Sequence, residues 1–355
     1  MNRLLHIVGN RPQFIKLAVL HRVIAEAGGI SQEIIHTGQH SSAEMSDIFF
    51  RELSIPEPGI QLSLGMAGSG DEFIIAASNA LEEIFSTLSS TTVMIYGDTN
   101  TTRAAARAAN KARVPLLHFE AGIRTGDLEM PEEINRIAAD RLANVNYCCT
   151  ELNFQQMRSE GLDETQGKRV LMTGDLMYDA FLAIPRGSSL VTREKEYVVC
   201  TIHRAANILS KERLTAIIDG LNQIHQSIPV IVPLHPHTRK KIAEYALFPE
   251  FTIVAPLGYP DMKRLLTDST FVVTDSGGTA REAFFSQKPA VIVMDRPFWP
   301  EIVDVGCALS VGAGREEIVN AFEGLSSLAS NFQSPIFGDG RAAWKILEDI
   351  NSNPF

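Results

Sequence analysis

The sequence predicts an α/β protein built from two doubly wound, mainly parallel sheets. Three observations carry this. Short apolar runs alternate with helix-length amphipathic segments through the first half, the pattern of parallel strands joined by crossover helices. The pattern restarts after a loop-like stretch, Ile184 to Thr192. And 355 residues exceed what one core usually serves, so two domains are expected.

In order, RLLHIV reads as a strand, GNRPQF as a turn and IKLAVLHRVIAEAG as a helix. SQEIIHT is a second strand, followed by GQH and the helix-like SSAEMSDIFFREL. IQLSL is a short strand, and a helix follows near Asp71 to Leu88. TTVMIY is a strand, GDTN a turn and TTRAAARAANKA an alanine-rich helix. PLLHF, an acidic loop, a helix through Ala143 and the strand VNYCC come next, then the helix NFQQMRSEGL and the strand RVLMTG. In the second half, strand EYVVCTI leads to loop HRAAN and a helix near Lys211 to Gln226. PVIVPL with loop HPHT, FTIVAPL, helix DMKRLL, strand TFVVTD, loop SGG, helix TAREAFFSQ and strands PAVIVM and CALSVG complete it. The tail FGDGRAAWKILEDI reads as a turn and a final helix.

Composition sets limits. Apolar content of 45% and charged content of 21% are ordinary for a soluble globular protein. A net charge of −10 argues against a nucleic-acid partner held by general charge, though not against a local anion site. The apolar part of MNRLLHIVGN is too short for a secretory signal, and no run of about 18 apolar residues marks a membrane span. Cys148, Cys149, Cys200 and Cys307 lack CxxC spacing and read as buried thiols in a reducing cytoplasm.

Open α/β sheets bind ligands beyond the carboxyl ends of their strands, and two tandem units imply a cleft. Arg11, His40, Asp98, Glu120, His203, His235, Ser276 and Glu301 all fall just after expected strands or in the loops that follow. The stretch HFEAGIRTGDLEMPEEINR, His118 to Arg136, concentrates acids behind a buried strand. Carboxyl groups in a partly dry cleft are what proton transfer needs. The same loop also reads as a solvated connection, since acids favour a first helical turn. Asp98 follows a strand directly; Thr99 to Thr102 offer alternative helix caps, which leaves Asp98 for acid–base work. In TDSGGTAREAF, the backbone N–H groups at Gly277 and Gly278 open a helix without side chains in the way, and Ser276 can cap it and touch a phosphate oxygen. GxGxxG and the P-loop pattern are absent, which disfavours an NAD enzyme or nucleotide triphosphatase. Arg11 and Lys16 put positive charge near a helix start, where it favours an anionic ligand. His203, Arg204, His235 and His237 read as hydrogen-bonding residues at strand ends, and no metal is expected.

With these pieces assembled, the sequence resembles the non-hydrolysing UDP-N-acetylglucosamine 2-epimerase family. The matching stretches are GNRPQFIK, HTGQH, YGDTNTT, HFEAGIRTGD, MPEEINR, TGD at Thr173 to Asp175, HR at His203, LHPHT, TDSGG, WPE at Trp299 to Glu301 and FGDGRAA, in family order from end to end. The resemblance implies two Rossmann-like halves of GT-B architecture: residues 1–172 with 338–355, the last helix crossing back, and a UDP-binding half of residues 173–337. It implies inversion at carbon 2 of a UDP-N-acetylhexosamine by loss and re-addition of UDP through a glycal, in a cytoplasmic homodimer that uses no cofactor. Asp98, Glu120 and Glu132 then take acid–base roles, and His203 joins the catalytic set. Arg11, His203, Ser276, Gly277 and Gly278 hold the diphosphate, Arg204 belongs to the UDP-binding set, Glu282 anchors the uridine ribose, and Lys16, Arg136 and His235 support them. A hydrolysing relative, a GT-B glycosyltransferase and a non-catalytic nucleotide-sugar sensor are the rival readings.

Three departures from the family pattern bear on the diphosphate grip: Asn10 stands where threonine is usual, Ala206 where an acid often follows, and DRPF precedes WPE. Ser41, Ser42 and the neighbourhood of Gly70 lack the glutamines of the branch regulated by its own substrate, so allosteric activation is expected to be weak or absent.

Overall fold

In the computed structural model, residues 3–39, 49–62, 64, 70–188 and 191–353 are described. The expected helix after GQH lies mostly outside them, as do His40, Ser41 and Ser42. The chain forms two compact units: residues 1–183 with 335–355, and residues 184–334.

The first unit is a seven-stranded parallel sheet in the order β3-β2-β1-β4-β5-β6-β7. The strands are β1 (Arg3–Val8), β2 (Ser31–His36), β3 (Ile60–Gln61), β4 (Thr91–Tyr96), β5 (Leu116–Ala121), β6 (Val145–Cys148) and β7 (Arg169–Met172). β4 and β5 are buried along their whole length, which explains why they are mainly apolar: a central parallel strand is covered on both faces. The alanine-rich helix Asn100–Ala112 joins the core with the strands through Ala105, Ala106, Ala108 and Ala109, while Ala104 packs on the helix Gly70–Ser86; all five are fully buried, so small side chains allow close packing. Helix Arg11–Ala27 begins at Arg11, earlier than its apolar periodicity suggests, because Pro12 suits a first helical turn.

The last helix, Ala342–Ser352, belongs to this unit. Asp179 accepts from the N–H groups of Ala342 (3.1 Å) and Ala343 (2.8 Å), and the Tyr147 hydroxyl donates to Asp349 (2.8 Å). The chain returns where Gly174 and Gly338 meet with almost no room: a Cβ on Gly338 would lie 3.0 Å from the Gly174 Cα. Residues 173–183 and 335–337, expected in the second half, therefore lie in the first unit. The helix Leu176–Ala183, absent from the expected set, carries Asp179.

The second unit is a six-stranded parallel sheet in the order β10-β9-β8-β11-β12-β13. These are β8 (Val198–Thr201), β9 (Val230–Pro233), β10 (Thr252–Val254), β11 (Phe271–Thr274), β12 (Ala290–Val293) and β13 (Ala308–Val311). Val198, Val232, Val273 and Val291 pack against Ile217, Leu221 and Ile318 from the covering helices. HRAAN and HPHT, expected as loops, open helices at Ala205–Ile208 and Pro236–Glu244; in the second, His235 is the cap and Pro236 sits in the first turn. Helices Pro300–Asp304 and Arg315–Gly324 were likewise not expected.

Candidate active site: two half-sites at strand ends

In each sheet the strand order reverses once, between β1 and β4 in the first and between β8 and β11 in the second. A crevice opens at such a point because the flanking connections run to opposite faces. The candidate residues of each unit cluster around it.

In the first unit, β4 ends in Gly97 and Asp98, and β5 ends in Glu120. The pairing of β5 with β6 slips between Phe119 and Ala121, so Glu120 is the extra residue of a bulge. Its φ is 74°, a region costly for a side chain-bearing residue and concentrated at functional sites. The Glu120 carboxylate is buried against the ammonium of Lys16, itself buried. Lys16, expected near a ligand anion, forms an ion pair with Glu120. Asp98 accepts from Arg136, which also donates to Glu133 (2.8 Å). Thr99 and Thr102 form the cap of the alanine-rich helix, so Asp98 is not a cap. The Asp98 side chain keeps 28% of its surface exposed, whereas that of Arg136 keeps 1%.

Helix Pro131–Leu142 separates the acids of PEEINR into two roles. Glu133 is buried and accepts from the N–H of Thr125 (3.1 Å), the Thr125 hydroxyl (3.2 Å) and the N–H of Gly126 (3.0 Å), folding the acidic loop back onto the helix. Glu132 stands beside it, half-exposed in the first turn. Asn135 donates to the Asp98 carbonyl (3.0 Å) and to the Asn100 side chain (3.0 Å), tying the helix to the β4 turn. Gln13 is a further organiser: it accepts from the Gly9 N–H (2.8 Å) and donates to the Tyr96 carbonyl (2.9 Å), joining the β1 and β4 loops. Arg11 is half-buried, its guanidinium 4.5 Å above the Phe49 ring.

In the second unit, β11 runs into Asp275, Ser276 and the helix Gly277–Phe285. Ser276 caps this helix, accepting from the Thr279 N–H (3.3 Å). Gly277 is glycine for packing, since a Cβ there would meet Phe298 at 2.8 Å. A Cβ on Gly278 would meet only the Ser276 hydroxyl, at 3.6 Å, so its surroundings are open. Backbone donors at a helix start with an open approach suit a phosphate. Asp275, fully buried, holds the neighbouring β8 loop: it accepts from the N–H groups of His203 (3.0 Å) and Arg204 (3.0 Å) and from Asn207 (3.0 Å). The His203 ring stays 46% exposed, 3.5 Å from Asp275 through Nδ1, and 6.4 Å from the His235 ring. Arg204 lies 4.1 Å over the Phe298 ring and donates to the Asp275 carbonyl (2.6 Å). Ser276, Gly277, Gly278, His203, Arg204 and His235 thus share one strand-end face of this unit. Glu282 is buried further along the helix, where its charge opposes the burial that pushes Lys263 down.

Gln13, Asn135 and Asp275 were missed in the sequence. Their roles lie in bonds to residues far along the chain, which no local spacing signals. Among the described residues no cluster of histidine, cysteine and acids is spaced to hold a metal ion, and the four cysteines are buried thiols outside any disulfide. Among the same residues, no helix is long and apolar enough to cross a membrane.

The family model described as UDP-N-acetylglucosamine 2-epimerase matches residues 22–351. The UDP-2,3-diacetamido-2,3-dideoxy-D-glucuronate 2-epimerase of Pseudomonas aeruginosa is 38% identical over 98% of both chains. A solved structure of Methanocaldococcus jannaschii UDP-GlcNAc 2-epimerase, in complex with UDP-GlcNAc and UDP, is 30% identical and covers 99% of this chain and 100% of its own, with a TM-score of 0.88. The Neisseria meningitidis UDP-GlcNAc 2-epimerase bound to UDP-GlcNAc is 25% identical over the same shares, with a TM-score of 0.86. Sheet order, strand-end carboxylates, glycine cradle and match along nearly the whole length agree: this chain is a GT-B-like isomerase belonging to the UDP-N-acetylglucosamine 2-epimerase family.

Proposed function

We propose that the protein inverts carbon 2 of a UDP-linked 2-acetamido sugar by elimination and re-addition of UDP. A carboxylate removes the carbon-2 proton, the C1–O bond to UDP breaks with its electron pair leaving on UDP, and a C1=C2 double bond forms. UDP then returns to C1 as a proton reaches the opposite face of carbon 2. One observation carries the reading: Asp98 and Glu120 stand at the carboxyl ends of adjacent strands, each against a buried cation, Arg136 or Lys16. A carbon-bound proton of low acidity calls for carboxyl groups held in defined ionisation states, and these pairings supply that. Glu132, half-exposed one residue before Glu133, completes the acid–base set in this reading.

The grip on the leaving group falls to the second unit. Gly277, Gly278 and Ser276 offer donors to the diphosphate, and His203, Arg204 and Arg11 add charge or hydrogen bonds as negative charge develops on UDP. Glu282 takes the ribose hydroxyls, and His235 supports His203. Lys16 and Arg136 act on the carboxylates rather than on the phosphates. The sugar we place first is a 2,3-diacetamido uronic acid, because the Pseudomonas relative that acts on it shares more residues than the archaeal N-acetylglucosamine enzymes do. The reaction is assigned to the cytoplasm and to a homodimer, which light scattering on the purified protein checks.

The deciding experiment is turnover in deuterated water with a panel of UDP-sugars. Product should carry deuterium at carbon 2 and the inverted configuration by NMR, with no free UDP accumulating. Product retaining its proton at carbon 2 would exclude the mechanism, and free UDP rising in step with product would indicate hydrolysis.

A further inference from the structure

One of the two acid-bearing strands, β5, carries a buried histidine that the mechanism above does not use. His118, in the middle of β5, is fully buried. Its Nδ1 lies 2.8 Å from the Asp140 carboxylate and its Nε2 lies 2.8 Å from the Gly97 carbonyl oxygen. A carbonyl oxygen can only accept, so Nε2 is the donor of the bond to Gly97. Asp140 is itself fixed, accepting from Arg124 (2.7 Å) and from the Gly122 N–H (3.2 Å), and Arg124 is gripped by Glu160 at 2.8 and 2.9 Å. Burial alone would push the Asp140 carboxyl up; His118 and Arg124 outweigh it and hold it below the ordinary range. The ring therefore has an immobile anchor on one side and a glycine turn on the other.

That turn is the one that sets the site. Gly97 has φ 65° and directly precedes Asp98. Its N–H donates to the Phe119 carbonyl at 2.9 Å, so both of its backbone polar groups are held by β5. On its open side, the position a Cβ would occupy is 3.4 Å from the Glu120 carboxylate and 3.4 Å from the Lys16 ammonium. A small rotation of the Gly97 peptide displaces Asp98 and presses on the Lys16–Glu120 pair together. Active-site groups are sensitive to such shifts, a displacement of about 1 Å being worth up to about 100-fold in rate.

We propose that His118 is a positioning residue: through the Gly97 carbonyl it fixes the spacing of the two carboxylates, with Asp140 as its anchor. This rests on the epimerase reading above, and the test is built to separate the two. Glutamine places a side-chain N–H2 near the site of the histidine Nε2, whereas asparagine places one near Nδ1. His118→Gln thus keeps the bond to Gly97 and loses the one to Asp140; His118→Asn does the reverse.

With the UDP-sugar that the wild-type protein turns over, His118→Asn should lower kcat about 10- to 100-fold while KM stays within about 3-fold. His118→Gln should recover most of the lost kcat. Independently of any substrate, amide hydrogen exchange across Gly97 to Asn100 should rise in the asparagine variant and remain near wild type in the glutamine variant. Equal loss of kcat in both variants, a larger loss in glutamine, or a loss confined to KM would overturn the proposal. So would unchanged exchange in His118→Asn. Should the asparagine variant not fold, the glutamine variant decides alone, and a tenfold or greater fall in its kcat refutes the role. A wild-type protein inactive on every UDP-sugar would sink the functional reading instead, leaving the exchange data to judge His118.

Discussion

The acid-bearing turn of the first unit and the glycine cradle of the second occupy equivalent places, beyond the strand ends where the sheet order reverses, yet they are built in opposite ways. The first is a set of interlocked buried charges: Lys16 with Glu120, Arg136 with Asp98 and Glu133, Arg124 with Asp140. The second offers backbone donors, an open approach at Gly278 and an exposed imidazole at His203, with the fully buried Asp275 holding the β8 loop. Charges locked in pairs hold their side chains in place, which suits a proton moving between fixed points. Backbone donors carry no net charge of their own and accept an anion that comes and goes. On the proposed mechanism the contrast predicts a division of labour, with rate set mainly in one unit and affinity mainly in the other.

Breaking the first side should give the largest effect. Glu120→Gln is expected to lower kcat by about 100- to 10,000-fold, with the affinity for UDP by calorimetry within about 3-fold of wild type. A large loss of UDP affinity would end the division of labour. The interlocked charges themselves are tested by Glu133→Ala, which leaves Arg136 short of a partner in a site where its side chain is only 1% exposed. Urea unfolding should show a loss of about 3 kcal/mol, and a loss under 1 kcal/mol would show that the pairing is dispensable.

The second side is probed by Gly278→Val, whose side chain enters the open approach. UDP should bind about tenfold more weakly, with kcat at saturating substrate within about 3-fold of wild type. A fall in kcat without a change in affinity would reverse the assignment. The smallest effect lies away from both half-sites. Burial, reinforced by Asp175 and Asp339, pushes the Asp179 carboxyl up to about 6, against its two backbone donors. A folded-state value above the unfolded one stabilises fully below the ordinary carboxylate range, and that contribution is lost as pH rises through about 6. The melting-temperature difference between wild type and Asp179→Asn should therefore favour wild type more at pH 5 than at pH 7.5, by the equivalent of about 1 kcal/mol. No change with pH would place the titration elsewhere.

Much of this was legible in the chain. β4 and β5 announce themselves because central parallel strands are mainly apolar, and the acids at their ends stand out against that background. Ser276 and the glycines after it were readable because capping and close approach are local requirements. The helix Pro236–Glu244 escaped because its face is polar and only Thr238 and Ile242 are buried, which gives little apolar period to read. Which of Glu132 and Glu133 would be buried was also hidden, since it depends on where Thr125 and Gly126 bring their N–H groups. The left-handed backbone at Glu120 has no signal at all; it follows from a slip in pairing with β6, a strand more than twenty residues on.

The return of the chain at Gly338 has a consequence for biosynthesis. The second unit is one continuous stretch, whereas the first needs the helix Ala342–Ser352, latched by Asp179 and Tyr147. A ribosome that has released residue 334 has supplied every strand of the later sheet but not the piece that seals the earlier one. Nascent chains arrested short of Ala342 should thus resist protease across β8 to β13 while β1 to β7 are still cut, an inversion of the usual order in which the N-terminal domain matures first.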